Sequence, residues 1–183
     1  MKSVLLVGLG RFGKNTAIKL KELKHEVMAL DIIEERVSDA LPYVSNALIG
    51  DATNQKFLET LGVKDYDLCI VTIGDNFQAS LITTSLLKEM GAKKVISRAS
   101  SDVQTKLLLR NGADDVVYPE QQVAEWTAVR YSSDHIFDYL SIEDGYSIAE
   151  IDVPIKWIGK TIMELDVRKK YKLNVMAVKI VIR

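Results

Sequence analysis

Six short runs rich in Val, Ile and Leu alternate with longer amphipathic stretches over about the first two thirds of this 183-residue chain. The runs do not alternate apolar with polar residues, which is typical of strands buried on both faces. Neighbouring parallel strands need crossover connections, and the intervening stretches have the length and apolar spacing of helices. The pattern predicts an α/β fold, a doubly wound parallel sheet of the Rossmann type. Strands are predicted at 4–9, 26–31, 46–51, 67–74, 94–99 and 114–120, and helices at 11–24, 34–41, 54–61, 76–90 and 102–111.

A different pattern follows the predicted sheet. Residues 120–133 are predicted to form one more helix, with an apolar face of Val123, Trp126 and Val129. After a change of composition near residue 140, the sequence predicts part of a small α+β module that includes SIAEIDVP, a helix over GKTIMELDVRKKY and the stretch NVMAVKIVIR, which ends in a last strand, KIVIR, at 179–183. A terminal edge strand needs a neighbour, so we expect further residues or another subunit to complete it. The expected domains are 1–120, a crossover helix and hinge at 121–139, and a partial, truncated domain at 140–183.

Composition excludes several classes of protein. A net charge of -1 gives no general attraction to nucleic acid or to anionic lipid. No apolar run approaches the roughly 20 residues that span a bilayer, so no membrane insertion and a cytoplasmic location are expected. The single cysteine, Cys69, is predicted to be a small buried apolar residue, and His25 and His135 to be structural or surface residues.

The stretch GLGRFG at 8–13 indicates a nucleotide loop. Gly8 suits the tight turn, Gly10 the close approach of a pyrophosphate, and Gly13 the packing of helix against strand. Asp31 ends the second predicted strand, where a carboxylate accepts hydrogen bonds from ribose hydroxyls and repels a 2′-phosphate. The alternative is a purely structural glycine turn. Neither interpretation requires Arg11.

Several motifs occur in order along the whole chain. They are GLGRFG, ALDIIEERV at 29–37, GDAT at 50–53, TIGDNFQAS at 72–80, GAKKVISRAS at 91–100 and GADDVVYPE at 112–120. With these motifs the chain resembles the RCK family, also called TrkA-N or KTN, whose members are cytosolic regulators of potassium channels and transporters. Within the family it is similar to the regulatory subunits of bacterial Ktr potassium uptake systems. SIAEIDVP and KTIMELDVRKKY resemble the start of the family's C-terminal domain.

The resemblance implies a regulatory subunit and not an enzyme. Homodimers formed through the crossover helix would assemble into a ring, expected to be an octamer, on a membrane-embedded KtrB-like potassium channel or transporter subunit. This gating ring would control potassium uptake through the binding of ATP versus ADP, with NAD or NADH as the alternative ligand. A different class remains open, an NAD-dependent oxidoreductase of a small substrate, although the residues after the sheet show no proton-donor constellation. A structural assembly subunit is the third alternative.

The resemblance also implies a set of site residues. They are Gly8, Gly10, Arg11, Phe12, Gly13, Asp31, Ile32, Asp51, Ala52, Thr53, Ile73, Gly74, Arg98 and Glu120. Arg11 would reach the terminal phosphate of ATP held by a neighbouring subunit, and Arg98 would lie close to the phosphates. Glu120 would help to hold a Mg or Ca ion beside the nucleotide. The alternative for Arg11 is a solvated side chain at the start of a helix. The alternative for Glu120 is an acid that the helix dipole favours.

Two ligand questions stay open at this stage. Some Ktr subunits have a neutral residue where this chain has Asp51, and NAD-binding relatives often have aspartate, so the choice between ATP/ADP and NAD(H) is not decided. The family's C-terminal domain binds cyclic di-AMP, and Ile162, Met163, Asp166 and Arg168 match that stretch. The alternative there is an amphipathic helix that packs Ile162, Met163 and Leu165 inward.

Overall fold

The computed structural model describes residues 1–142 and 146–179. The chain divides into two compact units, with the boundary between Val123 and Ala124. The first holds a six-stranded sheet and the second a two-stranded one. Within the described residues, no helix is long and apolar enough to cross a membrane.

The sheet of the first unit is entirely parallel. Its strands are β1 (Ser3–Val7), β2 (Glu26–Asp31), β3 (Asn46–Ile49), β4 (Leu68–Val71), β5 (Val95–Arg98) and β6 (Asp115–Val117). They lie in the order β3-β2-β1-β4-β5-β6, so the strand order reverses between β1 and β4. This is the order of a Rossmann-type sheet, and the predicted fold class is confirmed.

Five helices connect these strands: α1 (Arg11–Glu22), α2 (Glu34–Ala40), α3 (Gln55–Glu59), α4 (Phe77–Glu89) and α5 (Asp102–Arg110). Three of them begin at a residue whose side chain accepts a backbone N–H of the first turn, namely Asn54, Asn76 and Ser101. The helices α1 and α2 have no side-chain cap, and α1 begins directly after Gly10. Its first N–H groups are therefore not used by a cap.

Apolar side chains cover both faces of the sheet. In β1, Leu5 and Val7 point into one core cluster, and Val4 and Leu6 point into the other. This explains the lack of alternation in the sequence, since every position of such a strand is buried. Cys69 is fully buried in the first cluster, as predicted, and burial raises the pKa of its thiol to about 12. The thiol is therefore protonated and acts as an apolar residue.

The second unit begins within α6 (Pro119–Tyr131), which is followed by an antiparallel pair of strands. Its other elements are β7 (Ile136–Ser141), β8 (Ser147–Ile151), α7 (Ile162–Leu165) and α8 (Val167–Tyr171). The helix predicted over GKTIMELDVRKKY is therefore broken in two. Asp166 adopts a left-handed conformation with φ of 46°, which lets both Leu165 and Val167 be buried. On a continuous helix, residues two apart do not share a face.

Residues 174–179 have no regular secondary structure. The last strand, predicted at 179–183, lies outside the described residues apart from Lys179. The expected apolar face of α6 is largely exposed: Val123 is 60% and Trp126 39% exposed. The indole N–H of Trp126 donates to Asp138 at 3.2 Å.

Two carboxylates tie strands together at the amino edge of the sheet. Asp67 accepts the N–H of Ser3 at 3.0 Å, which joins β4 to β1. Asp114 accepts the N–H of Val95 at 2.6 Å and pairs with Lys88 at 2.9 Å, which joins β6 to β5. Burial alone would raise the pKa of Asp114, but the hydrogen bonds from Val95 and Lys88 outweigh it and hold the pKa below its ordinary value.

We predict that Asp114→Asn lowers the free energy of unfolding at pH 7 by about 1 kcal/mol, because it removes the charge from both interactions. The folded-state pKa lies below the unfolded one, so this stabilisation is present above about pH 4 and is lost as the pH falls through the folded-state pKa. Urea denaturation at pH 7, 5 and 3 measures the difference from wild type. Glu26→Gln, an exposed change at the start of β2, is the control. A difference of equal size at pH 3 and pH 7 would contradict the assignment.

Candidate functional site

The turn between β1 and α1 is built around close backbone contacts. Gly8 has φ of +96°, a conformation that favours glycine. A side chain added at Gly13 would overlap the carbonyl oxygen of Gly8 and come within 2.6 Å of the Thr72 hydroxyl. That hydroxyl donates to the same carbonyl at 2.6 Å, so β4 also holds the turn. The predicted roles of Gly8 in the turn and Gly13 in packing agree with this geometry.

Gly10 lies in open space. A Cβ added there would meet nothing within 4 Å, and its φ of -62° is ordinary for any residue. The glycine is therefore not required by the fold of the chain. Beside it, the uncapped start of α1 presents backbone N–H groups and the positive end of the helix dipole, which together favour an anion. The exposed side chain of Arg11 adds positive charge at the same helix start.

Asp31 is almost fully buried at the end of β2. Its carboxylate accepts the N–H of Leu9 at 2.6 Å and the N–H of Ile33 at 2.9 Å, so it holds the glycine turn against β2. The ribose contact predicted for Asp31 stays a prediction. Arg36, which the sequence reasoning missed, places a guanidinium nitrogen 3.8 Å from Asp31 and another 3.8 Å from Asp75. The only signal for it was its place in the ALDIIEERV motif.

The ends of β3 and β4 contribute the other residues predicted near adenosine. Asp51 accepts both the N–H and the hydroxyl of Thr53, at 2.8 and 2.7 Å, and so closes a local turn. Ala52 is buried, whereas Ile32 is 65% exposed at the same edge of the sheet. Ile73 packs against the core from the segment after β4.

Arg98, at the end of β5, is the most enclosed cation of this edge. Its side chain is 18% exposed and forms an ion pair with Glu120, the second residue of α6. The guanidinium lies 5.9 Å from the centre of the Phe12 ring and against Gly74, where an added Cβ would overlap Nη1. Its Nε is buried and has no hydrogen-bond partner among the described residues.

Glu120 is ionised at neutral pH. A hydrogen bond from its own backbone N–H lowers the pKa of the carboxyl most, and the hydrogen bond and charge of Arg98 and the charge of Arg11 lower it further against the effect of burial. Within residues 1–142 and 146–179, no group of three His, Cys, Asp or Glu side chains could hold a metal ion. One carboxylate already paired with Arg98 does not by itself fit a Mg or Ca ion.

The predicted site residues of the first unit come together at one edge, because the carboxyl ends of parallel strands meet there. The glycine turn follows β1, Asp31 ends β2, GDAT follows β3, Gly74 follows β4, Arg98 ends β5 and Glu120 follows β6.

The residues expected to bind cyclic di-AMP belong to the second unit. There Ile162 is 50% and Met163 90% exposed, so inward packing holds for Leu165 but not for these two. His25 accepts the N–H of Lys2 at 3.1 Å, and His135 lies 3.4 Å from Asp152 at the surface. Both are structural or surface contacts, as predicted.

A glycine turn and an uncapped helix start at the point where a parallel sheet reverses its strand order define the class of Rossmann-type nucleotide-binding domains. Residues 4–119 match the TrkA-N domain family. The chain belongs to the TrkA-N family.

Its relatives include potassium uptake proteins. Ktr system potassium uptake protein C of Bacillus subtilis is 39% identical over 178 residues, which span 97% of this chain and 80% of that protein. Ktr system potassium uptake protein A of the same organism is 36% identical over the same shares of the two chains. The protein A of Vibrio alginolyticus is 30% identical over 97% of this chain and 81% of its own.

Solved structures share the fold at low sequence identity. The GsuK channel bound to NAD has a TM-score of 0.73 at 16% identity, covering 92% of this chain and 31% of that one. The TrkA-N domain of the inner membrane protein YbaL of Escherichia coli has a TM-score of 0.61 at 22% identity, covering 68% and 91%.

We predict that two changes in the glycine turn affect different properties, one the stability of the fold and the other the binding of ADP. Gly13→Ala lowers the free energy of unfolding by about 1–3 kcal/mol, because its Cβ overlaps backbone. Gly10→Ala changes stability by less than about 1 kcal/mol, because its Cβ meets nothing within 4 Å. A phosphate in that open space would make the same change weaken ADP binding at least about tenfold. Thermal unfolding and calorimetric titration with ADP separate the two effects. Equal ADP affinity of Gly10→Ala and wild type would show that no phosphate of the ligand lies at this position.

Proposed function

We propose that this protein is a nucleotide-sensing regulatory subunit that forms a gating ring on a potassium channel or transporter. It would control potassium uptake through the binding of ATP versus ADP, or of NAD(H). One observation carries the proposal: Gly10, where a Cβ would meet nothing within 4 Å, lies beside an uncapped helix start and the guanidinium of Arg11. The potassium uptake relatives, which match 97% of the chain, support the physiological setting.

The ligand class follows from what the structural neighbours hold. GsuK has been solved bound to NAD and bound to ADP, and the Kef C-terminal domain of Shewanella denitrificans in an AMP bound form. These ligands share an adenosine 5′-phosphate group. A helix start and two arginines suit its phosphates, and the exposed Ile32 and the carboxyl edge at Asp31 suit its adenosine. We therefore propose an adenine nucleotide as the ligand.

Gating by such a ligand requires differential binding. ATP can favour one ring shape only if it binds that shape more tightly than another, and ADP must lack part of that difference. A contact from Arg11 of one subunit to the terminal phosphate held by its neighbour would supply it. A coupling of about 1–3 kcal/mol per site is ordinary, and several sites in one ring would add to the effect.

The assembly is part of the same proposal. Residues 1–120 would bind nucleotide, residues 121–139 would form the dimer through the exposed face of α6, and residues 140–183 would belong to a C-terminal domain. Cyclic di-AMP would bind that domain when it is complete. The dimers would form an octameric ring on a KtrB-like subunit, which would hold the protein at the cytoplasmic face of the membrane.

The oxidoreductase alternative needs a proton donor beside a nicotinamide ring. Two carboxyl groups of the carboxyl edge are already engaged, since Asp31 accepts two backbone N–H groups and Glu120 pairs with Arg98. The relatives are named as potassium uptake proteins, which favours a regulatory role. Oxidation of added 2-hydroxy acids or aldehydes with NAD would support the enzyme instead.

We predict that Arg11→Ala keeps ADP affinity within about twofold of wild type but lowers ATP affinity about fivefold or more, because only ATP carries the terminal phosphate. Calorimetric titration of the assembled protein with each nucleotide measures both affinities. Arg110→Ala, in the last turn of α5, is the matched control. Equal losses for ATP and ADP would show that Arg11 does not distinguish them.

We predict that the purified protein releases an adenine nucleotide when it is precipitated, since the proposed site accepts the adenosine phosphate group common to the neighbours' ligands. Mass spectrometry of the released compound identifies it. ATP or ADP would support the energy-sensing form of the proposal, and NAD or NADH the redox-sensing form. Failure of the protein to bind any of these on titration would contradict the proposed function.

A further inference from the structure

The ion pair between Arg98 and Glu120 joins two side chains in very different environments. The Arg98 side chain is 18% exposed, whereas the Glu120 side chain is 56% exposed. A guanidinium that is mostly removed from water needs an anion beside it. Glu120 supplies that anion.

Arg98 is held in place by its surroundings. Gly74 leaves the space that Nη1 occupies, since any side chain at this position would displace the guanidinium. The centre of the Phe12 ring lies 5.9 Å from the guanidinium carbon, and the Nε is buried. The cation is therefore a fixed part of the edge formed by β1, β4 and β5.

Glu120 is the more exposed partner of the pair. It lies in the first turn of α6, and its carboxylate is more than half exposed. A carboxylate and a phosphate offer a guanidinium the same arrangement of paired oxygens, and phosphate carries more charge. Two anions at one guanidinium repel each other, so they compete for it.

We propose that Glu120 is a built-in competitor for the phosphate subsite at Arg98, and that it determines which ligands the site accepts. A ligand whose phosphate reaches Arg98 displaces the carboxylate, whereas a ligand without phosphate leaves the pair intact. The inference rests on the proposed nucleotide-binding function and adds a residue that sets specificity. It gives Glu120 a role in opposing the ligand that differs from the role of a cation ligand.

The test is the change Glu120→Gln, which keeps the shape of the side chain but removes its charge. Calorimetric titrations with ADP and with adenosine, both in EDTA to exclude divalent cations, compare it with wild type. We expect ADP to bind about fivefold more tightly to the variant, the effect of removing a partly exposed charged competitor, and adenosine to bind equally to both. Glu125→Gln, farther along α6 and exposed, is the matched control and should change neither affinity.

The double change Arg98→Lys with Glu120→Gln tests whether the gain in ADP affinity depends on the guanidinium of Arg98. It should lose most of the gain, because an ammonium cannot hold two phosphate oxygens in the same way. ADP affinity that is unchanged or weaker in Glu120→Gln would overturn the inference while leaving nucleotide binding intact. An effect of Glu120→Gln seen only with Mg ions present would also overturn it, in favour of cation binding. If wild type and variant both fail to bind ADP, ATP and NAD, the proposed function fails and the inference fails with it.

Discussion

The carbonyl oxygen of Gly8 occupies the place where a side chain at Gly13 would have to stand, and this close approach determines the site. Thr72 holds the same carbonyl from β4, and Asp31 holds the following N–H from β2. Contacts from β2 and from the residue after β4 thus fix the turn that follows β1. The open space at Gly10 is a consequence of backbone geometry, so a phosphate would meet a preformed surface.

Charge is distributed around this turn in a consistent way. The uncapped start of α1 and the guanidinium groups of Arg11 and Arg98 make the edge attractive to anions. Asp31 does not cancel that attraction directly, because its carboxylate is buried and used by backbone N–H groups. Glu120 is the exception, since it pairs with Arg98 at the surface. The balance between these groups would decide how strongly the proposed site binds a phosphate.

The two edges of the sheet use carboxylates for different purposes. At the amino edge, Asp67 and Asp114 accept backbone N–H groups of neighbouring strands and pair with lysines. These contacts hold the sheet together. At the carboxyl edge, the acidic groups lie beside the glycine turn and the arginines. The contacts that join the strands thus lie away from the candidate site, because the loops that follow the strands of a parallel sheet all lie at its carboxyl edge.

Apolar periodicity and the glycine spacing by themselves determined the sheet, its helices and the residues gathered at its carboxyl edge, because parallel strands bring their ends together whatever their side chains do. Only the tertiary structure decided that Arg98 pairs with Glu120, that Asp31 turns inward and that Arg36 lies beside it. It also decided the break at Asp166, where two neighbouring apolar residues are both buried. Such contacts depend on the directions of side chains and the space between elements, and neither is encoded in a repeat of apolar residues along the chain.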